Sequence, residues 1–155
     1  MIRRFKVSNF KSFEKHFELD LTDTNGYEFN KDSLVNGTVN NAIIYGHNGV
    51  GKSNLALAMF DIIEHLTDKQ RNESQYKNYL NAYSASGVAH FSYEFLINSK
   101  IVEYEYKKSD YKTIVYERLQ INNEEVIVFD RTRDYNATIK LKGAETLKSD
   151  VENSE

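Results

Sequence analysis

The chain has 155 residues, 40% of them hydrophobic, a formal net charge of −3 at pH 7, no cysteine and no proline. That length suffices for one ordinary domain with a real core, and the lack of cysteine excludes disulfides and thiolate metal sites. No apolar run reaches the roughly 18 residues of a membrane-spanning helix, and the acidic balance argues against a free-standing nucleic-acid binder held by bulk electrostatics.

The first residues, Met1 to Lys6, are basic but lack the apolar core and cleavage site of a signal peptide, so a cytoplasmic protein is expected. Ile2 to Phe10 alternates apolar and polar residues, and Phe17 to Leu21 does so again, which predicts an antiparallel hairpin around Lys11-Ser12-Phe13. Basic residues gather here (Arg3, Arg4, Lys6, Lys11, Lys15). They fit either a solvated hairpin face or a DNA-facing patch. Thr22 to Asn41 is polar and glycine-dotted, and reads as a loop with at most a short turn of structure.

Ala42-Ile43-Ile44-Tyr45 then reads as a short buried strand, and Asn54 to Leu66 as an amphipathic helix with Leu55, Met59, Ile62, Ile63 and Leu66 at helical spacing. Between them, Gly46-His47-Asn48-Gly49-Val50-Gly51-Lys52-Ser53 fits the phosphate-loop pattern G-x-x-x-x-G-K-[ST]. The glycines allow backbone conformations closed to other residues. Successive N–H groups around Gly49 to Lys52 can form a nest for phosphate oxygens, and the helix start points its unpaired N–H groups and positive dipole end at the same place. Lys52 is then expected on the β- and γ-phosphates of a nucleotide and the Ser53 hydroxyl on Mg²⁺. The bland alternative is a glycine-rich turn that merely starts a helix.

Residues 67–87 are strongly polar, with tyrosines at 76, 79 and 83 that fit one helical face weakly. From 88 to 141 the period changes to two: Phe91, Tyr93 and Phe95, then Val102, Tyr104 and Tyr106, then Thr113 to Ile121, Glu125 to Phe129 and Ala137 to Leu141. With turns near Ser99 and at Asn122-Asn123, this predicts an antiparallel meander of four or five strands. Its aromatic stripes suit core packing better than a base-stacking platform. The last residues, 142–155, read as a polar tail.

Hydrolysis needs more than a phosphate loop, because a second acid must hold Mg²⁺ and a further group must place the water. The one candidate acid is Asp130, which ends the apolar run Val126-Ile127-Val128-Phe129. Against it, Arg131 follows where ATP-hydrolysing heads commonly place Glu, and the run leaves a hairpin turn with no crossover helix before it. The four histidines (16, 47, 65, 90) lack metal-ligand spacing. No guanine-reading Asn-Lys-x-Asp pattern and no arginine-rich lid is present. Only one strand could sit in a parallel sheet, so the chain reads as the front part of a larger ATPase, either a fragment or a partner for a second polypeptide.

The opening Phe5-Lys6-Val7-Ser8-Asn9-Phe10-Lys11-Ser12-Phe13 resembles the first hairpin of ABC-type ATPase heads of the SMC/RecF/OLD class, and Gly46 to Leu55 resembles their phosphate loop. Segments Phe91–Phe95, Glu103–Tyr106 and Glu117-Arg118-Leu119 are similar to the tyrosine-rich sheet of OLD-like "AAA family ATPases", a group linked to phage defence. The resemblance spans about residues 1 to 135. It implies an α/β fold, the N-terminal lobe of an ABC/SMC-like P-loop NTPase with an antiparallel β-meander. The lobe would divide into hairpin, phosphate-loop strand and helix (1–66), polar insertion (67–87), meander (88–141) and tail (142–155).

It further implies that Gly46, Asn48, Gly49, Val50, Gly51, Lys52 and Ser53 bind the phosphates of ATP, with Lys52 the catalytic lysine and Ser53 a Mg²⁺ ligand. Asn54 would lie near the α-phosphate side and Lys11 near the phosphates, with Ser12 and Phe13 flanking the adenine. The signature motif, the acid pair and the switch histidine of the class are missing from the chain. The implied partners are therefore the remaining half of the head, a second head sandwiching the nucleotide in a homodimer or hetero-oligomer, and a DNA or nuclease effector, with no membrane. A non-hydrolytic nucleotide-sensing module and a small stand-alone phosphotransferase are the other readings.

Overall fold

The structure, a computed structural model, describes residues 1–26, 29, 31–67, 73–133, 137–141 and 143–144. In chain order its elements are β1 (Ile2–Ser8), β2 (Phe17–Asp20), a 3-10 turn (Lys31–Ser33), β3 (Leu34–Val35), β4 (Thr38–Val39), helix α1 (Lys52–Thr67) and a second 3-10 turn (Glu73–Tyr76). There follow β5 (Ala89–Ile97), β6 (Lys100–Lys108), β7 (Ile114–Ile121), β8 (Glu124–Asp130) and β9 (Ala137–Ile139). Of the expected tail only 143–144 is described, and 68–72 of the expected insertion lie outside the described residues.

The alternation read from the sequence sets the sheet. Seven strands run in the order β2-β1-β5-β6-β7-β8-β9, every described neighbour antiparallel. The predicted hairpin and the predicted meander are therefore one sheet, joined where β1 pairs with β5 from Phe5↔Tyr93 to Ser8↔His90. Asn98-Ser99 and Asn122-Asn123 both take positive φ at their two positions, the backbone that two-residue hairpins with a right-handed twist require. Asn36-Gly37 does the same in the small β3–β4 hairpin, which lies in the stretch expected as a loop with at most a short turn of structure.

Because side chains alternate across a strand, one face gathers Phe5, Val7, Phe91, Tyr93, Tyr104 and Tyr106, all buried. Their rings pack at 5.0–5.3 Å, tilted in Phe5–Tyr93, stacked in Phe91–Tyr106 and edge-on where Phe10 meets Phe91, which confirms their core role. The opposite face is polar and ion-paired. Arg3 Nε lies 2.8 Å from Glu94, Arg4 Nε 2.9 Å from Asp20 and Lys6 Nζ 3.5 Å from Glu18. His90 and Arg118 both meet Glu105. A bulge between Ile2 and Arg4 lets both early arginines reach Glu94. The early basic cluster thus forms a neutralised sheet face for Arg3, Arg4 and Lys6, in line with the solvated-face alternative.

Helix α1 crosses the aromatic face, with Leu55, Ala58 and Asp61 buried beneath it and Met59 and Ile62 packed against the core. Three expectations need correcting. Residues 41–47 form no strand, and Ile43 and Tyr45 are 89% and 90% exposed. A strand needs a neighbour for its N–H and C=O groups, and among the described residues none pairs with this run. Ile63 and Leu66, assigned to the inner face of the helix, stand exposed, because the helix is apolar on two sides and only one meets the sheet. Tyrosines 76, 79 and 83 do not share a helical face: Tyr79 is in the core while Tyr83 is 85% exposed, since the chain turns at Asn81, whose Oδ1 accepts the N–H groups of Tyr83 and Ser84.

Replacing Phe91 by Ala should cost about 3–5 kcal/mol in urea unfolding, whereas Ile43→Ser should stay within about 0.5 kcal/mol. Equal losses for the two would show that 42–45 is packed after all.

Candidate phosphate-binding site

The loop that precedes α1 is wound around its own lysine. Lys52 Nζ donates to Gly46 O and His47 O, each at 2.7 Å. An ammonium has three donors, so one remains for an anion. Gly49 and Gly51 have φ of +83° and +98°, backbone that side-chain-bearing residues rarely adopt. Helical bonding starts with Leu55 N–H on Gly51 O at 2.9 Å, so the N–H groups just before it have no acceptor inside the helix. Lys52, Ser53 and Asn54 open the helix there, with Ser53 exposed. Asn48 and Val50 lie exposed on the loop.

The first hairpin comes to the same place. Ser12 Oγ accepts from Asn54 Nδ2 at 3.0 Å, and a Cβ added at Gly51 would meet that oxygen at 2.9 Å. Gly51 therefore serves two needs, a left-handed backbone and room for Ser12. The turn itself is held by two buried asparagines. Asn9 Nδ2 donates to Val88 O at 2.8 Å and its Oδ1 accepts from Asn81 N at 3.2 Å, while Asn81 Nδ2 donates to Lys11 O. Lys11 N donates to Tyr79 O at 3.0 Å.

The structure thus brings Ser12, Gly51, Lys52, Ser53 and Asn54 together. Lys11 belongs to the same turn, but its ammonium donates to Lys77 O at 3.2 Å, and desolvation there pulls its pKa below the usual lysine value. Asn9 and Asn81 were missed as determinants of the site. Asn9 has a signal in the sequence, standing at the end of an alternating strand where a turn needs positive φ; it takes +52°.

Asp130 is in none of this. Strand β8 lies four places from β1 in the sheet, roughly 19 Å at about 4.8 Å per strand. Its carboxylate caps its own turn, accepting from Thr132 N at 3.0 Å and Thr132 Oγ1 at 2.6 Å, and these bonds hold its pKa below the ordinary value. Among the described residues no group of three or more His, Asp or Glu is arranged for a metal ion, and no helix is long and apolar enough to cross a membrane. No protein-family model matches the chain, and no curated protein does.

Gly51→Ala should cost more than about 1 kcal/mol from its backbone alone, with a further steric share from Ser12. In urea unfolding, Ser12→Ala should recover that share in the double variant and leave the backbone share. A Gly51→Ala protein as stable as the parent would rule out this loop conformation.

Proposed function

We propose that the chain is the phosphate-loop lobe of an ABC-type ATPase head of the SMC/RecF/OLD class, binding ATP with Mg²⁺ at Gly46 to Ser53. The observation that carries this reading is the loop conformation: Lys52 bridges the carbonyls of Gly46 and His47, and the left-handed glycines 49 and 51 lead into the open start of α1. Backbone N–H groups from Gly49 onward would hold the β-phosphate oxygens, and the third Lys52 donor would reach the β- and γ-phosphates. The Ser53 hydroxyl suits Mg²⁺, which commonly takes one or two protein oxygens, phosphates and waters rather than an all-protein cage. When bound, that ion would neutralise charge developing on the transferred phosphoryl group.

The rest of the active site would come from the remaining half of the head. Ile43, Ile44 and Tyr45 stand exposed just before the loop, and Ile63 and Leu66 on the far side of α1. This is where a further layer would pack, with 42–45 becoming a strand of its parallel sheet. Hydrolysis would then occur in a completed, dimerised head and drive a DNA-directed or defence effector. A second reading, a non-hydrolytic nucleotide-sensing or assembly module, draws support from Asp130, the candidate acid, which lies across the sheet from the loop.

Calorimetry with ATP and Mg²⁺ should show binding that Lys52→Ala abolishes; equal affinity in the variant overturns the site. Steady-state turnover by this chain above its Lys52→Ala control would count against a site completed elsewhere.

A further inference from the structure

The fully buried carboxylate of helix α1 is Asp61. Asp61 is 2% exposed; its Oδ2 accepts from Lys108 Nζ at 2.8 Å and Tyr106 OH at 2.9 Å, and its Oδ1 from Tyr79 OH at 3.1 Å. Lys108 is equally buried. One turn earlier, Tyr93 OH donates to Ala58 O at 2.9 Å. Burial first, and then Asp61, push the Tyr79 hydroxyl far above its ordinary pKa, and burial with Tyr93 and Asp61 does the same to Tyr106. Both tyrosines stay neutral donors.

Stability alone explains this arrangement poorly. Exchanging a buried ion pair for well-packed apolar side chains is often neutral or stabilising. What the pair supplies is a fixed point. Apolar contacts tolerate sliding of a helix on a sheet, but a slide of one residue, about 1.5 Å, would break every bond that Asp61 makes. The loop inherits that register. Residues 41–47 form no regular structure, so the loop is placed by the helix it runs into and by the Ser12–Asn54 contact. A misplacement of about 1 Å can cost on the order of 100-fold in the rate of a reaction, and hydrogen bonds to a ligand also weaken steeply off their geometry.

We infer that Asp61 and Lys108 are a positioning pair for the nucleotide site, fixing the axial register of α1 and so the stance of Lys52 and Ser53 against the Lys11-Ser12 turn. The inference rests on the nucleotide reading for its ligand and on the geometry alone for the register.

The test combines Asp61→Leu with Lys108→Met in the full chain, since a single replacement would strand a buried charge. Urea unfolding, calorimetry with ATP and Mg²⁺, and amide hydrogen exchange are read together. The expected result is an unfolding midpoint at or above the parent's, an ATP Kd raised at least tenfold, and faster exchange at Leu55 to Ala58, where helical bonding begins. A stable double variant with unchanged Kd and unchanged exchange there overturns the pair's role. If the parent binds no ATP, the nucleotide reading falls, and exchange at Leu55 to Ala58 still decides the register claim. Should the double variant fail to fold, Tyr106→Phe removes one donor to Asp61 without changing the fold's volume. For that variant a raised Kd or faster exchange at an unchanged midpoint supports the pair, and the absence of both changes overturns it.

Discussion

The docking of α1 on the aromatic face of the sheet is the constraint on which the remaining structure depends. Phe91, Tyr93 and Tyr106 form the floor, and Leu55 and Ala58 bring the helix close enough for tyrosine hydroxyls to reach its backbone and Asp61. The small side chain of Ala58 matters here, since a larger one would lift the helix off the hydroxyl of Tyr93. Sheet and helix thus share one core, and the loop at the helix start is aimed by that core without contributing to it. Residues 46–50 of that loop stay exposed while its stance is determined by the packed elements.

The first hairpin supplies the second constraint. Its turn carries positive φ at Asn9 and Lys11, which side-chain-bearing residues adopt at a cost. Asn9 and Asn81 offset that cost with hydrogen bonds that also tie the turn to 79–88. Ser12 is thereby presented to Gly51 and Asn54. The turn and the loop are separated by some forty residues of chain, yet they meet through one hydroxyl and one missing Cβ.

The strands were legible in the sequence because a half-buried strand writes its period directly into alternating Phe, Tyr and charged residues, and because Asn-Ser and Asn-Asn suit the positive-φ turns between them. The loop was legible because its glycines and lysine serve a backbone shape that few other residues permit. The pairing of β1 with β5 was not, since no local signal joins strands that far apart. Asp61 and Lys108 escaped for a different reason. Charged residues are read as surface, and only the fold shows that a helix position and a strand end bury them together.

The failure at 42–45 is the most instructive. An apolar run states that its residues would be more stable out of water, and says nothing of what would cover them. Ile43 and Tyr45 stand almost fully exposed, and Ile63 and Leu66 add exposed apolar surface on the same helix that the loop begins. Isolated exposed apolar residues are ordinary, but these lie on both sides of the glycine-rich loop, in a run of consecutive residues and on a helix whose opposite face is already packed. The two misread elements therefore share one cause. Each was assigned to a core that the described residues do not contain, and each has the composition that burial in a further layer would require.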